Sequence, residues 1–380
     1  MKKRSFAFLL VLSLVACLFV SAMGLAASAE IKIGVFEPKT GANAAGGQLE
    51  IDGIKLANKL YPTVLGRKVT LVIADNKSDK VEAATAAARL VEKDKVTAII
   101  GSWGSSLSMA AGDIVKKAKV PAVGASCTNP LVTQGNEYYF RVCFIDPFQG
   151  TVMANYAFNK LKAKKAAIVQ EVSNDYAVGL AKFFTDSFKK STKDANCIVA
   201  VANYNTGDQD FSAQLTNIKS KNPDVIFAPG NFTESALVIS QARKLGITCP
   251  IIGGDTWETN EFLKIGGKAV EGAVFSTFFA TEKPITKESK KFLDAYRADF
   301  KQEPAAVTAL GYDAYIVILD AIKRAKSTDG PKVRDAIAAT KNFAGAAGMI
   351  TLDENRNAVK DAVIKVVKNG KFTYLDTIHP

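Results

Sequence analysis

Thr97-Ala98-Ile99-Ile100-Gly101-Ser102-Trp103-Gly104-Ser105-Ser106 reads as a short apolar strand, a loop of small polar residues and the first residue of a helical pattern that runs to Lys117. A strand that passes directly into a helix is half of a crossover unit, because parallel strands need a long return connection. Outward from this stretch the same alternation repeats. Residues 31–36, 68–74, 97–100, 120–123 and 139–142 read as five strands, and 52–61, 80–93 and 106–117 as helices with one apolar face. That is one doubly wound lobe.

The pattern then restarts. Strands are expected at 165–170, 197–201, 225–228, 250–252 and 273–276, separated by helices at 174–190, 212–221 and 234–245. Three helices, 288–300, 308–325 and 332–340, follow with no strand between them, and they are expected to return to cover the first lobe's sheet. The tail reads as hairpins: 349–352, a polar turn at 353–357, then 362–367 and 371–375 around Asn369-Gly370. The fold class is therefore α/β, with two doubly wound parallel-sheet lobes joined by a three-strand hinge. Residues 30–145 plus 278–347 form lobe 1, and 146–277 plus 348–380 form lobe 2. The chain is expected to cross between them near Asp146, Thr277 and Gly348.

Ahead of the first strand, Met1-Lys2-Lys3-Arg4, an apolar run from Phe6 to Leu25 and Ala27-Ser28-Ala29 form a secretory signal with an A-x-A cleavage site. Residues 1–29 are expected to be removed, which places the protein outside the cytoplasm, periplasmic or extracytoplasmic. A rival reading makes Leu14-Val15-Ala16-Cys17 a lipoprotein site, but the apolar Leu18-Phe19-Val20 after it is a poor tether. Cleavage leaves 351 residues (380 minus 29), enough for two cores, and a net charge of +9 (12 minus Lys2, Lys3 and Arg4). The lysines are interleaved with acids, as in Glu92-Lys93-Asp94-Lys95, which reads as solvated surface and not as a nucleic-acid footprint. The single histidine, His379, removes Ser-His and Cys-His nucleophiles from consideration. No enzyme activity, cofactor or metal is expected. Asp353-x-Asn355-x-Asn357 lacks the glycine and the twelfth-position acid of a calcium loop, and reads as a turn.

In open α/β sheets, ligands bind beyond the carboxyl ends of the strands. Those ends carry Gly101 to Ser106, then Gly124-Ala125-Ser126-Cys127-Thr128-Asn129-Pro130, Ser173-Asn174-Asp175-Tyr176, and Gly253-Gly254-Asp255-Thr256-Trp257. One side thus offers hydroxyls and a helix N-terminus, which suit a carboxylate. The other offers a carboxylate and an aromatic ring, so the division matches an amino acid zwitterion. Each segment is also readable as an ordinary turn or cap, with Tyr176 and Trp103 as packing.

On these residues the chain resembles the leucine/isoleucine/valine-binding protein family. The match runs over essentially the whole mature chain, and its most specific pieces are Gly-x-x-x-Ser-Ser at 101–106 and Phe140-Arg141 followed by Asp146-x-x-Gln149-Gly150. The resemblance implies the type I periplasmic binding-protein fold and a monomeric solute-binding protein that hands an amino acid to the membrane permease of an ABC importer. It implies that Ser105 and Thr128 hold the ligand carboxylate, and that the Ser126 carbonyl and Asp255 receive the ammonium. Tyr176 closes from the second lobe, while Trp103, Asn231 and Phe232 shape the side-chain pocket. Gly46, Asn231 and Asp255 stand where the family tends to have an aromatic, a tyrosine and a glutamate, so the amino-acid class is better supported than any one amino acid. The alternatives are another small carboxylic acid or amide bound by the same fold, or a ligand-sensing domain. Cys127 and Cys143 fall at the ends of adjacent strands about 5 Å apart, close enough for a disulfide if their side chains face each other. Cys197 and Cys249 are expected to be unpaired.

Overall fold

The computed structural model describes residues 30–380. The signal segment and Cys17 lie outside the described residues. In the first lobe the chain forms β1 (Ile31–Glu37), α1 (Ala44–Leu60), β2 (Thr63–Val64), β3 (Arg67–Asp75), α2 (Lys80–Ala88), β4 (Ala98–Ile100), α3 (Ser105–Ala118), β5 (Ala122–Gly124) and β6 (Tyr139–Arg141). The sheet order is β2-β3-β1-β4-β5-β6, all parallel except the short hairpin strand β2. Its inner strands β4 and β5 are apolar throughout, and β1 is nearly so apart from Lys32 and Glu37, because helices cover both faces.

The second lobe contains α4 (Asp146–Asn155), β7 (Ala166–Glu171), α5 (Asp175–Thr192), β8 (Ile198–Tyr204), α6 (Ser212–Ser220), β9 (Val225–Phe227), α7 (Phe232–Lys244), β10 (Ile251–Gly253), α8 (Asn260–Gly266) and β11 (Val274–Thr277). After α9 (Lys287–Phe300), α10 (Ala306–Ala325) and α11 (Gly330–Ala338) come β12 (Phe343–Gly345), β13 (Gly348–Ile350), β14 (Ala362–Lys368) and β15 (Lys371–Ile378). The second sheet has the order β15-β14-β11-β10-β9-β7-β8, with β14 and β15 antiparallel at one edge. The C-terminal hairpin thus extends this sheet.

The three late helices do return to the first lobe, where α10 packs along α1. Two glycines set that approach. A Cβ on Gly53 would lie 1.9 Å from the Thr308 carbonyl oxygen, and one on Gly311 would lie 2.4 Å from that of Glu50. The backbones meet where no larger residue fits.

The structure departs from the expectations in several places, four of which bear on the site or the lobes. The first helix begins at Ala44, two turns before the expected 52, although Gly46 and Gly47 weaken it locally. These glycines are needed because Trp103 and Pro38 occupy the space a side chain would take. The helix α4, absent from the expectation, packs against α5 and carries the chain into the second lobe. Residues 348–350 pair with β12 and not with the C-terminal hairpin, since the Asp313 carboxylate of α10 accepts the Ala346 and Ala347 N–H groups at 2.5 and 3.0 Å. Finally, Cys127 and Cys143 are free thiols. Cys127 belongs to the core on the Leu107 and Tyr139 side of the sheet, and Cys143 to the core on the Val123 and Phe140 side. Strand adjacency does bring the residues together, but the Cys143 thiol meets the Cys127 carbonyl at 3.6 Å while the two sulfurs pack into different cores.

The turn at 353–357 uses its acid internally, with the Asp353 carboxylate accepting the N–H groups of Asn355 and Asn357 at 2.8 and 2.9 Å. No helix among the described residues is long and apolar enough to cross a membrane.

Candidate functional site

Each sheet reverses its strand order once: beside β1, between β3 and β4, and beside β7, between β8 and β9. At such a point the loops diverge and leave a crevice. The crevices of the two lobes face each other and enclose a cavity of about 90 Å³. Six of the eight candidate residues line it: Trp103, Ser105, Ser126, Tyr176, Asn231 and Asp255.

From the first lobe, Ser105 and Ser106 open α3, whose first N–H groups have no partner within the helix. The Ser105 hydroxyl accepts the Asn129 N–H at 3.1 Å, so its own proton is free for a ligand oxygen. From the second lobe, Asp255 follows β10 and is buried. Its Oδ1 accepts Gln149 Nε2 at 2.7 Å and the Tyr176 hydroxyl at 3.0 Å. Burial raises its carboxyl to about 6, against the pull of those two hydrogen bonds.

Two candidates stand elsewhere. Thr128 is fully buried and is not part of the cavity wall; its carbonyl accepts the Asp146 N–H at 3.0 Å, which ties the β5 loop to the start of α4. Phe232, the first residue of α7, meets the edge of Trp103 with ring centroids 5.9 Å apart, and so supports the wall from behind.

Sequence reasoning missed an acidic layer beneath the first-lobe loops. Glu37, at the end of β1, accepts the Trp103 N–H at 2.6 Å, and Glu50 of α1 accepts the Ser126 hydroxyl. Both are wholly buried. Burial raises Glu50 to about 7, and burial together with the neighbouring Glu50 lifts Glu37 well above the ordinary range. Two such carboxyls in contact hold a proton between them. Asp146 is raised by burial to about 8. The sequence signal for Glu37 was a charged residue ending an apolar strand at the switch point. For Glu50 it was an acid on the apolar face of α1 beside Ile51 and Ile54. Asn43, Ser78, Glu171 and Thr206 also line the cavity and were missed.

The lobes are closed on one another. Lys80 reaches Asp175 at 2.9 Å, the Ser106 hydroxyl donates to the same carboxylate at 2.8 Å, and Asn231 donates to Asn43 at 2.9 Å. With hydroxyls and a helix N-terminus facing a buried carboxylate, the cavity can hold a molecule carrying both an anion and a cation.

Comparison with known proteins gives the chain's family. The family described as "Periplasmic binding protein" matches residues 30–371. The Leu/Ile/Val-binding protein homolog 3 of Brucella melitensis is 32% identical over 337 residues, 87% of this chain and 89% of that one. The leucine binding protein LivK of Thermotoga maritima is 45% identical with a TM-score of 0.89, covering 92% of this chain and 99% of that one. The branched-chain amino acid transporter substrate binding protein LivJ of Streptococcus pneumoniae, solved in complex with isoleucine, is 35% identical with a TM-score of 0.86, covering 93% and 100%.

Proposed function

Since the chain belongs to the periplasmic binding protein family, we propose that it binds an amino acid between its lobes and delivers it to the membrane permease of an ABC importer. It is a solute-binding protein and not an enzyme. The observation that carries the reading is one cavity with the Ser105 end of α3 on one lobe and the buried Asp255–Tyr176 pair on the other.

In this reading the Ser105 hydroxyl and the α3 N-terminus take the ligand carboxylate, and Asp255 with the Ser126 carbonyl takes the ammonium. Tyr176 holds Asp255 in place. Trp103 and Asn231 face the ligand side chain, Phe232 backs Trp103, and Thr128 positions the Ser126 loop from within the core. The lobes comprise residues 30–145 plus 278–347 and 146–277 plus 348–380, except that β13 and the turn at 353–357 stay with the first lobe through β12, Thr133 and Arg141. The chain acts as a monomer outside the cytoplasm after removal of residues 1–29, and binds no nucleic acid.

Incubation of the purified protein with mixed amino acids, followed by mass analysis of what is retained, tests this. Retention of an unchanged amino acid is expected. Chemical conversion of it, or retention of none, contradicts the reading.

A further inference from the structure

Two of the chain segments that join the lobes run beside each other and leave a second cavity between them. Residues 278–285 lead from β11 to the first lobe, and residues 358–361 lead from the first lobe into β14. Both segments line a cavity of about 210 Å³, which the β12–β13 hairpin and Thr377 of β15 complete. It shares no residue with the cavity around Ser105 and Asp255.

Its wall is largely hydrocarbon. Phe278, Phe279 and Val363 form the buried part, while Ile285, Met349 and Val359, which also line it, are 65, 46 and 53% exposed. Apolar side chains left in water around one concave site mark a surface that holds an apolar partner. Gly348 permits the arrangement: its φ is +110°, and a Cβ there would lie 2.8 Å from Ile285 Cδ1.

The ionic groups at this cavity are unequally matched. Asp361 is hydrogen-bonded to His379 at 2.8 Å, and the buried Lys360 ammonium stands 3.6 Å from the Asp313 carboxylate. Lys283 is exposed and has no carboxylate partner among the described residues; its ammonium lies 5.4 Å from the centre of the Tyr374 ring. A spare cation beside a hydrocarbon wall suits one negative charge on an apolar body. An apolar cavity of about 150 Å³ accepts a benzene ring, so the occupant is a short chain or a single ring.

We infer that this hinge cavity binds a short-chain or single-ring carboxylate, with its hydrocarbon between the two joining segments and its charge toward Lys283. These segments are among those that must bend when the lobes part, and the cavity described belongs to the closed arrangement. An occupant therefore favours closure and, by reciprocity, tightens the interlobe site for its own ligand. Binding at the hinge does not depend on the amino-acid reading; only this coupling does.

Once residues 1–29 are removed, Met109, Met153 and Met349 are the remaining methionines. The methyl spectrum of the methionine-labelled protein, with Met349 assigned through Met349→Leu, therefore reads the cavity. Titration with butanoate, pentanoate and hexanoate is expected to move the Met349 signal saturably and leave that of Met109, on α3, in place. Affinity should rise about fourfold for each added carbon, the worth of one buried methylene. It should fall about five- to tenfold in Lys283→Glu, where an exposed attraction becomes a repulsion. Ser105→Ala, which weakens the interlobe site, is expected to leave the titration as it is. An unmoved Met349 signal, indifference to chain length or to Lys283→Glu, or loss of the response in Ser105→Ala overturns the inference. A Met349 signal that shifts with protein concentration in the absence of acid indicates a second copy on this face, and also overturns it. Saturating hexanoate should raise amino-acid affinity about threefold or more, and an unchanged affinity overturns the coupling. If no amino acid binds, the amino-acid reading fails while the Met349 titration still decides the hinge cavity.

Discussion

Ser106 and Asp175 exchange two hydrogen bonds across the cleft: the Ser106 hydroxyl donates to Asp175 Oδ2 at 2.8 Å, and the Asp175 N–H donates to the Ser106 hydroxyl oxygen at 3.0 Å. Ser106 lies in the first turn of α3 and Asp175 opens α5, so two helix starts are tied by one side chain from each lobe. Asn129 adds a third tie, donating to the Asp175 carbonyl at 2.8 Å. Opening the cleft would break all three.

The latch leads to a first prediction. Asp175→Ala removes the Ser106 and Lys80 contacts to the carboxylate, and because this site is partly exposed the loss is modest, about 1 to 2 kcal/mol. Ligand affinity is expected to fall about five- to thirtyfold, through population of open lobes. Small-angle scattering of the ligand-free variant should show larger dimensions than the unsubstituted protein. Equal dimensions and equal affinity would remove the latch from the account.

Proton binding supplies the second. An ammonium pairs with ionised Asp255, whose carboxyl is raised by burial from 3.8 to about 6. Affinity is therefore expected to rise as pH increases through about 6 and to level off above it, with a proton released on binding below that point. Without ligand the sign reverses. The folded state holds these protons more tightly than the unfolded chain, so their stabilisation is fully present below about 4 and is lost as pH rises. Asp255 loses it between about 4 and 6, while Glu50 at about 7 and Asp146 at about 8 carry the loss to the neutral range. The carboxyls held below their ordinary values, among them Asp75 and Asp175, titrate beneath this window. Melting of the ligand-free protein should thus occur at a lower temperature at pH 8 than at pH 5, and a flat or rising trend contradicts this.

A third prediction concerns the hinge. Lys365 of β14 and Glu258 form a buried ion pair at 2.6 Å, and Glu258 also accepts the Thr277 hydroxyl at 2.6 Å and the Ala306 N–H at 3.3 Å. Removing one charge strands the other in the core. Lys365→Met is expected to destabilise the fold by about 3 to 5 kcal/mol, while Lys365→Met combined with Glu258→Gln should recover part of the loss. Denaturant unfolding measures both.

The strands and the cleft were legible because each depends on local pattern: apolar runs such as Ile31 to Phe36, and small polar residues at strand ends. Ser105, Ser126, Tyr176, Asn231 and Asp255 follow from that rule together with the family resemblance, and all five reach the cavity. What was not legible depends on contacts distant in sequence. The start of α1 hides behind Gly46 and Gly47, which are explained only by Trp103 and Pro38. The side of the sheet on which Cys127 and Cys143 project follows from local register that the strand ends alone did not give. Thr128 has the right residue type two positions after Ser126, yet its place in the core turns it toward α4 and away from the cavity. Glu37 and Glu50 became a pair only when β1 and α1 folded together.

The central claim is that Asp255 receives an ammonium and Ser105 a carboxylate in one closed cavity, and calorimetric titration of two variants tests it most directly. Against the amino acid that the unsubstituted protein binds best, Asp255→Asn is expected to cost about 2 to 5 kcal/mol, because the ligand charge is left unpaired in a desolvated site. Ser105→Ala should cost about 1.5 to 3 kcal/mol, the worth of one hydrogen bond to a charged group. The deaminated analogue of the same amino acid should bind the unsubstituted protein poorly and lose little further in Asp255→Asn. Asp255→Asn binding the amino acid as tightly as the unsubstituted protein would contradict the account, leaving recognition of the carboxylate alone.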